Sequence, residues 1–125
     1  MKVKTVLVVD DEKPLATALS LKLKREGMDV LIAGNGRECL DRVRSTHIDL
    51  LLLDLMLPEM DGFTVLENLA KDKITLDVIV LSNLSQEEDV ARVKALGAKE
   101  YFVKSNTPIK DIVDYVKKLL HEQTQ

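Results

Sequence analysis

The sequence predicts an α/β fold, a parallel sheet covered by helices on both faces. Three observations predict it. Short apolar runs alternate five times with amphipathic stretches of helical spacing, and breakers stand where each unit should end. Three of the runs, 6–9, 50–53 and 78–81, are apolar without interruption, as strands buried on both faces require. The length, 125 residues, suits one core, so residues 1–125 are expected to form one domain.

The elements follow in order. After the strand at 6–9, the first helix starts near Pro14, a residue suited to the first helical turn, carries Leu15, Ala18 and Leu19 on one face, and stops at Gly27. The second run, 30–33, is short and reads as an edge strand. Asn35 and Glu38 have capping-box spacing and open the second helix. The strand at 50–53 and the next at 78–81 enclose the third helix by the same alternation. Ser85 and Glu88 repeat the capping-box spacing for the fourth helix, which Gly97 ends. The run 101–103 is the other short edge strand. The last helix begins at Thr107 and Pro108 and buries Ile109, Ile112, Val113, Val116 and Leu120, an i, i+3, i+4, i+7, i+11 stripe. Residues 121–125 read as a frayed tail.

Composition narrows the function. Hydrophobic residues at 46% and charged residues at 31% exclude a disordered or collagen-like chain, and no apolar run could span a bilayer. Eighteen basic against twenty-one acidic residues leave a net charge of −3, with Lys and Arg scattered, which disfavours direct nucleic-acid binding. Four aromatic residues and no Trp provide no stacking platform for single strands. Cys39 is the single cysteine and the N-terminus does not read as a secretory signal, so a cytoplasmic protein is expected.

Chemistry in an open α/β sheet collects beyond the carboxyl ends of the strands. Here the first strand ends in Asp10, Asp11 and Glu12, the third in Asp54, the fourth in Ser82 and the fifth in Lys104. Taken singly, each has an ordinary explanation as a helix start, loop residue, cap or solvated lysine. Taken together they do not, because carboxylates about 5 Å apart repel by roughly 3 kcal/mol per pair at an effective dielectric near 20. A hard divalent cation relieves that repulsion, and Mg²⁺ suits a site with few protein ligands. With a lysine and a hydroxyl opposite, the set reads as phosphoryl transfer: Asp54 the nucleophile, Mg²⁺ and Lys104 neutralising the phosphoryl oxygens, and Ser82 donating a hydrogen bond.

These residues carry a resemblance to the receiver domains of bacterial two-component response regulators, of the single-domain chemotaxis-regulator type. The matching elements are Val8-Val9-Asp10-Asp11-Glu12, Leu53-Asp54-Leu55-Met56-Leu57-Pro58-Glu59-Met60-Asp61-Gly62, Val80-Leu81-Ser82, Gly97-Ala98 and Tyr101-Phe102-Val103-Lys104, in order over essentially the whole chain. The resemblance implies a flavodoxin-like, doubly wound five-stranded sheet of order 2-1-3-4-5 with five helices. It implies that Asp54 accepts a phosphoryl group from a histidine kinase or a phosphotransfer protein. Asp11, Asp54 and the Met56 carbonyl would bind Mg²⁺ directly, with Asp10 acting through water. Lys104 would pair with Asp54 or its phosphoryl group, Ser82 would move toward the phosphoryl oxygen, and Tyr101 would turn inward into the space released. The readout would be a changed surface on the fourth helix, fifth strand and fifth helix, facing an output protein or a second copy in a homodimer. No membrane partner is implied.

Two positions depart from the family. Lys104 is followed by Ser105 where the family usually has a proline with a cis bond, and a cis bond without proline costs about 3 kcal/mol. The loop is therefore either strained or differently routed. Asn83 follows Ser82 where the family is commonly small, which narrows access to Asp54 or offers the phosphoryl group another hydrogen bond. Met56 and Leu84 flank the approach of hydrolytic water, and being apolar they predict slow dephosphorylation. Cys39 reads as a packing residue, and His47 and His121 as solvated positions without metal-ligand spacing.

Other readings are a degenerate receiver that only binds protein, and a receiver segment of a longer DNA-binding regulator, although Met1 and the short polar tail favour a stand-alone protein. A haloacid-dehalogenase-type phosphatase also uses an aspartyl phosphate, but its Asp-x-Asp motif is missing after the first strand. Nucleotide binding is weaker still, since the loop after the first strand has three acidic residues and no glycine.

Overall fold

The computed structural model describes residues 2–124. Met1 and Gln125, which belong to terminal segments discussed above, lie outside the described residues. The elements are β1 (Thr5–Val9), α1 (Lys13–Arg25), β2 (Asp29–Ala33), α2 (Gly36–Ser45), β3 (Leu50–Leu53), α3 (Gly62–Lys71), β4 (Asp77–Ser82), α4 (Glu87–Ala95), β5 (Glu100–Val103) and α5 (Ile109–Gln123), with a 3-10 turn at Lys104–Asn106. All neighbouring strands run parallel in the order β2-β1-β3-β4-β5. The two short runs are the edge strands, as expected.

Alternation along the strands divides the core in two. Leu7, Val9, Leu51, Leu53, Val78 and Val80 face α2, α3 and α4, while Val6, Val8, Leu50, Leu52, Ile79 and Leu81 face α1 and α5. Each central strand is therefore apolar at successive positions because both of its faces are covered.

Local chemistry explains most boundaries. Pro14 lies in the first turn of α1, where its missing N–H is not needed, and Gly27 follows the helix at φ +93°, a left-handed conformation that glycine adopts without strain. Asn35 caps α2 by accepting the Glu38 N–H at 2.8 Å. Asp61 does the same for α3 with the Thr64 N–H at 2.9 Å, a cap not foreseen although an Asp three residues before a Thr is visible in the sequence.

Three expectations need correction. Ser85 does not cap α4: the helix begins at Glu87 with Gln86 as its first half-helical residue, and no side chain bonds there. Three acidic residues in its first turn, Glu87, Glu88 and Asp89, suit the positive end of the helix dipole instead. The buried face of α1 is Ala16, Leu19, Ser20 and Leu23, with Leu15 and Ala18 half-buried at its margin. Residues 121–123 are helical, because Gln123 donates to the Asp77 carboxylate at 2.8 Å and the Asp49 carbonyl at 3.0 Å, pinning the end of α5 to the sheet.

Candidate functional site

The carboxyl edge of the sheet gathers the acidic residues. Asp10 and Asp54 are the first residues beyond β1 and β3, and their N–H groups carry the ladder one step further, to Ala33 and Val9 carbonyls at 3.1 and 3.0 Å. Both are thus held by the backbone of the central strands, and both are 4% exposed. Asp11 is exposed beside them. One carboxylate oxygen from each of Asp10, Asp11 and Asp54 lies within 4.8 Å of the other two.

Lys104 opposes this cluster. Its side chain is 6% exposed, and Nζ stands 2.7 Å from Asp10 Oδ2, 2.9 Å from Asp54 Oδ2 and 3.2 Å from Glu12 Oε1. Burial acts to lower the ammonium's pKa, but hydrogen bonds to Asp10 and Asp54 outweigh it and hold Lys104 charged well above its ordinary range. Burial likewise raises the Asp10 carboxyl, against the pull of Lys104 and of the Glu12 N–H at 2.9 Å. Glu12 as a third partner of Lys104 was not foreseen; helix entry at Lys13 puts it on that side.

The Lys104–Ser105 peptide is not cis; no peptide bond among the described residues is. The loop takes a different route, the 3-10 turn Lys104–Asn106, closed by Thr107 Oγ1 donating to the Val103 carbonyl at 2.9 Å. Lys104 reaches the carboxylates nonetheless.

Ser82 ends β4 and is fully buried. Its hydroxyl does not bond Asp54; it accepts the Leu84 N–H at 3.4 Å. The Tyr101 hydroxyl donates to the Leu84 carbonyl, and the side chain packs against the buried cluster that faces α2, α3 and α4. Burial pushes the Tyr101 phenol up, with the Ser82 hydroxyl pulling the other way and the charges of Asp89 and Asp54 adding to the rise. Tyr101 is thus joined to the loop after Ser82 through the Leu84 carbonyl. Asn83 does not face the cluster with its carbonyl oxygen, which accepts the Ser105 N–H at 3.1 Å.

On the open side, the Met56 N–H donates to Asp54 Oδ1 at 3.2 Å and the residue is 59% exposed. Met56, Leu57, Pro58, Phe63 and Leu84 line a shallow cleft together with Asp11 and Asp61. The donor set fits a hard divalent cation: oxygen ligands only, three of them carboxylates, and one side open to solvent.

The remaining candidates lie elsewhere. Cys39 is fully buried in the α2 core. His47 and His121 are exposed, His47 with Nε2 2.9 Å from Asp49. No helix among the described residues is long and apolar enough to cross a membrane.

Comparison with known proteins agrees with this geometry. The model of the response regulator receiver domain family matches residues 6–117. The chain is 37% identical over 105 residues to the alkaline phosphatase synthesis transcriptional regulatory protein PhoP of Bacillus subtilis, covering 84% of this chain but only 44% of that protein. Among solved structures, the receiver domain of Francisella response regulator 1452 superposes with a TM-score of 0.90 at 30% identity, covering 98% of this chain and 99% of that one. A CheY-like receiver domain protein from Methanospirillum hungatei gives 0.91 at 28% identity, covering 98% of each.

Proposed function

Because the chain belongs to the response regulator receiver domain family, we propose that it is a phosphorylation-dependent switch of two-component signalling with Asp54 as the phosphoryl acceptor. Receiver domains are signalling domains and interact with histidine kinases or phosphotransfer proteins; such a protein is the proposed donor, in the cytoplasm. The observation that carries the reading is the Lys104 ammonium, bonded at once to Asp10 and Asp54 at 2.7 and 2.9 Å, opposite three carboxylates whose oxygens lie within 4.8 Å. Lys104 offsets only part of the charge of three crowded carboxylates, and a charge cluster of this kind at the carboxyl edge of a parallel sheet supports a chemical role.

A carboxylate oxygen of Asp54 attacks the phosphorus of the donor. The new P–O bond forms as the donor's P–N bond breaks, the electron pair leaving on the imidazole nitrogen. Asp10, Asp11, Asp54 and the Met56 carbonyl would hold Mg²⁺, which supplies charge neutralisation to the phosphoryl oxygens. Lys104, already bonded to Asp54 Oδ2 at 2.9 Å, would neutralise the same oxygens. Asp54 is held for attack by the Met56 N–H on Oδ1 and Lys104 on Oδ2.

Ser82 would then donate its O–H to a phosphoryl oxygen, Oγ moving toward that group and away from the Leu84 N–H it now accepts at 3.4 Å. That pulls on the β4–α4 loop, to which Tyr101 is bonded at Leu84. The surface of α4, β5 and α5 is where the change would be read, by an output protein or a second copy. A local charge change thus biases a two-state element. A swing from 1:99 to 99:1 needs roughly 5.5 kcal/mol, more than one new hydroxyl contact supplies, so the partner's binding energy would complete it.

The test is intact mass after incubation with Mg²⁺ and acetyl phosphate. Gain of one phosphoryl group that needs Mg²⁺ and is lost in Asp54→Asn supports the reading. No gain with acetyl phosphate or with a histidine kinase would sink it.

A further inference from the structure

We propose that Asn83 is a positioning residue for Lys104, acting through the Ser105 N–H; as a statement about the phosphoryl-accepting site, this rests on the function proposed above. β4 and β5 pair as far as Ser82 and Val103. The next residue after β4 is Asn83 and after β5 Lys104. Past that last rung the ladder ends and the 3-10 turn begins, so backbone pairing no longer fixes where Lys104 starts. Asn83 Oδ1 accepts the Ser105 N–H at 3.1 Å, a side-chain rung one step beyond the ladder.

The rung is available because residue 105 is not proline, which has no N–H to give. The two departures from the family pattern, Asn83 and Ser105, are therefore partners in one contact: the acceptor stands where the family is small, and the donor where the family has proline. Both residues are exposed, so packing does not hold them. Asp10, Asp54 and Glu12 hold the tip of Lys104, whereas the Asn83 bond acts on the backbone from which the side chain starts. Thr107 closes the turn from its far side at the Val103 carbonyl, whereas Asn83 ties the turn sideways to β4, the strand that carries Ser82. The same bond thus fixes the spacing of Ser82 and Lys104, the two groups this side of the site contributes.

The test is a double-mutant cycle on the full chain, Asn83→Ala against Ser105→Pro, with Asn83→Asp and Ser105→Ala as conservative variants that keep acceptor and donor. The first readout is acylation of the Lys104 amine by acetic anhydride, measured by peptide mass relative to Lys94, which is 52% exposed where Lys104 is 6%. Each disruptive single variant should raise relative Lys104 labelling about two- to tenfold, the range spanned by one net hydrogen bond. The double variant should exceed neither single variant, and the conservative variants should stay at the wild-type level. The second readout, Mg²⁺-dependent phosphoryl gain from acetyl phosphate, should slow by a similar factor.

Wild-type labelling in Asn83→Ala overturns the proposal, as do full additivity in the cycle and loss of protection in Ser105→Ala. Should Ser105→Pro fail to fold, the contrast of Asn83→Ala with Asn83→Asp still decides it. A wild-type chain that gains no phosphoryl group defeats the functional reading while the labelling still judges the clasp. Unchanged labelling in a chain that is phosphorylated defeats the clasp alone.

Discussion

Gly62 backs directly onto Asp54: a Cβ built on Gly62 would stand 2.5 Å from the Asp54 carbonyl oxygen and 2.7 Å from Leu55 Cα. The Gly62 N–H also donates to the Leu55 carbonyl at 2.9 Å, so the start of α3 and the exit of β3 are fastened with no room between them. Backbone atoms on both sides cannot give way as a flexible side chain would. Gly62→Ala should cost about 1–3 kcal/mol, as overpacking does. It should also slow phosphoryl gain at Asp54, because the strand end must shift; urea unfolding and intact-mass kinetics check the two effects separately.

Lys104→Met should couple stability to Mg²⁺. Removing one partner of a buried ion pair costs about 3–5 kcal/mol, here by leaving Asp10 and Asp54 to repel each other. In chelator the variant should melt well below wild type, and added Mg²⁺ should raise its melting temperature by more than it raises that of wild type. Equal shifts for the two proteins would count against a cation among these carboxylates.

Asp49 should make folding acid-sensitive. Burial acts to raise its carboxyl, but the Thr5 N–H at 2.8 Å, His47 at 2.9 Å and Lys4 at 3.9 Å outweigh it and hold the group below its ordinary value of 3.8. A carboxyl lowered in the fold stabilises fully above its unfolded value and loses that stabilisation as pH falls through the folded one. Asp49→Asn keeps one acceptor oxygen, which Thr5 can use, and removes the charge together with the second carboxylate oxygen, which faces His47. Its deficit of about 1 kcal/mol near neutrality should therefore shrink below about pH 4 in urea titrations.

Cys39 should resist modification. It is fully buried, and burial alone pushes its thiol up to about 12, so almost no thiolate exists near neutrality. A disulfide reagent should react only at the rate of unfolding, with full reaction appearing in denaturant.

The phosphoryl group, once on Asp54, should be long-lived. Met56 and Leu84 line the cleft through which water would approach, and neither offers a group to orient it. Met56→Asn should shorten the lifetime, followed as decay of the phosphorylated mass after the donor is removed. A wild-type lifetime of seconds, indifferent to polar substitution at either position, would contradict this.

Much of this molecule was legible from its residues, for a physical reason. Periodicity is local, so continuous apolar runs at 50–53 and 78–81 announced strands covered on both faces, and the stripe of α5 announced the face it buries. Acidic residues directly after strands announced a site, because a parallel sheet brings its strand ends to one edge whatever their separation along the chain. Caps were readable when they needed only neighbours, as at Asn35, and misread at Ser85, where spacing permitted a cap that the loop did not make. Strand order was not in the pattern and came from family resemblance.

Tertiary structure alone decided what depends on approach through space. That Gly62 needs to be glycine follows from the Asp54 and Leu55 backbone lying against it, an approach that the residues on either side of Gly62 do not announce. Glu12 on Lys104 and Asn83 on Ser105 join residues 92 and 22 positions apart. Departure from proline at 105 left the loop either strained or differently routed, and only the route of the 3-10 turn determined that Lys104 still reaches Asp54 and that the freed N–H finds Asn83. Composition and spacing determine which elements form; the contacts that aim a side chain arise between elements, and their energies depend on distances that no run of residues encodes by itself.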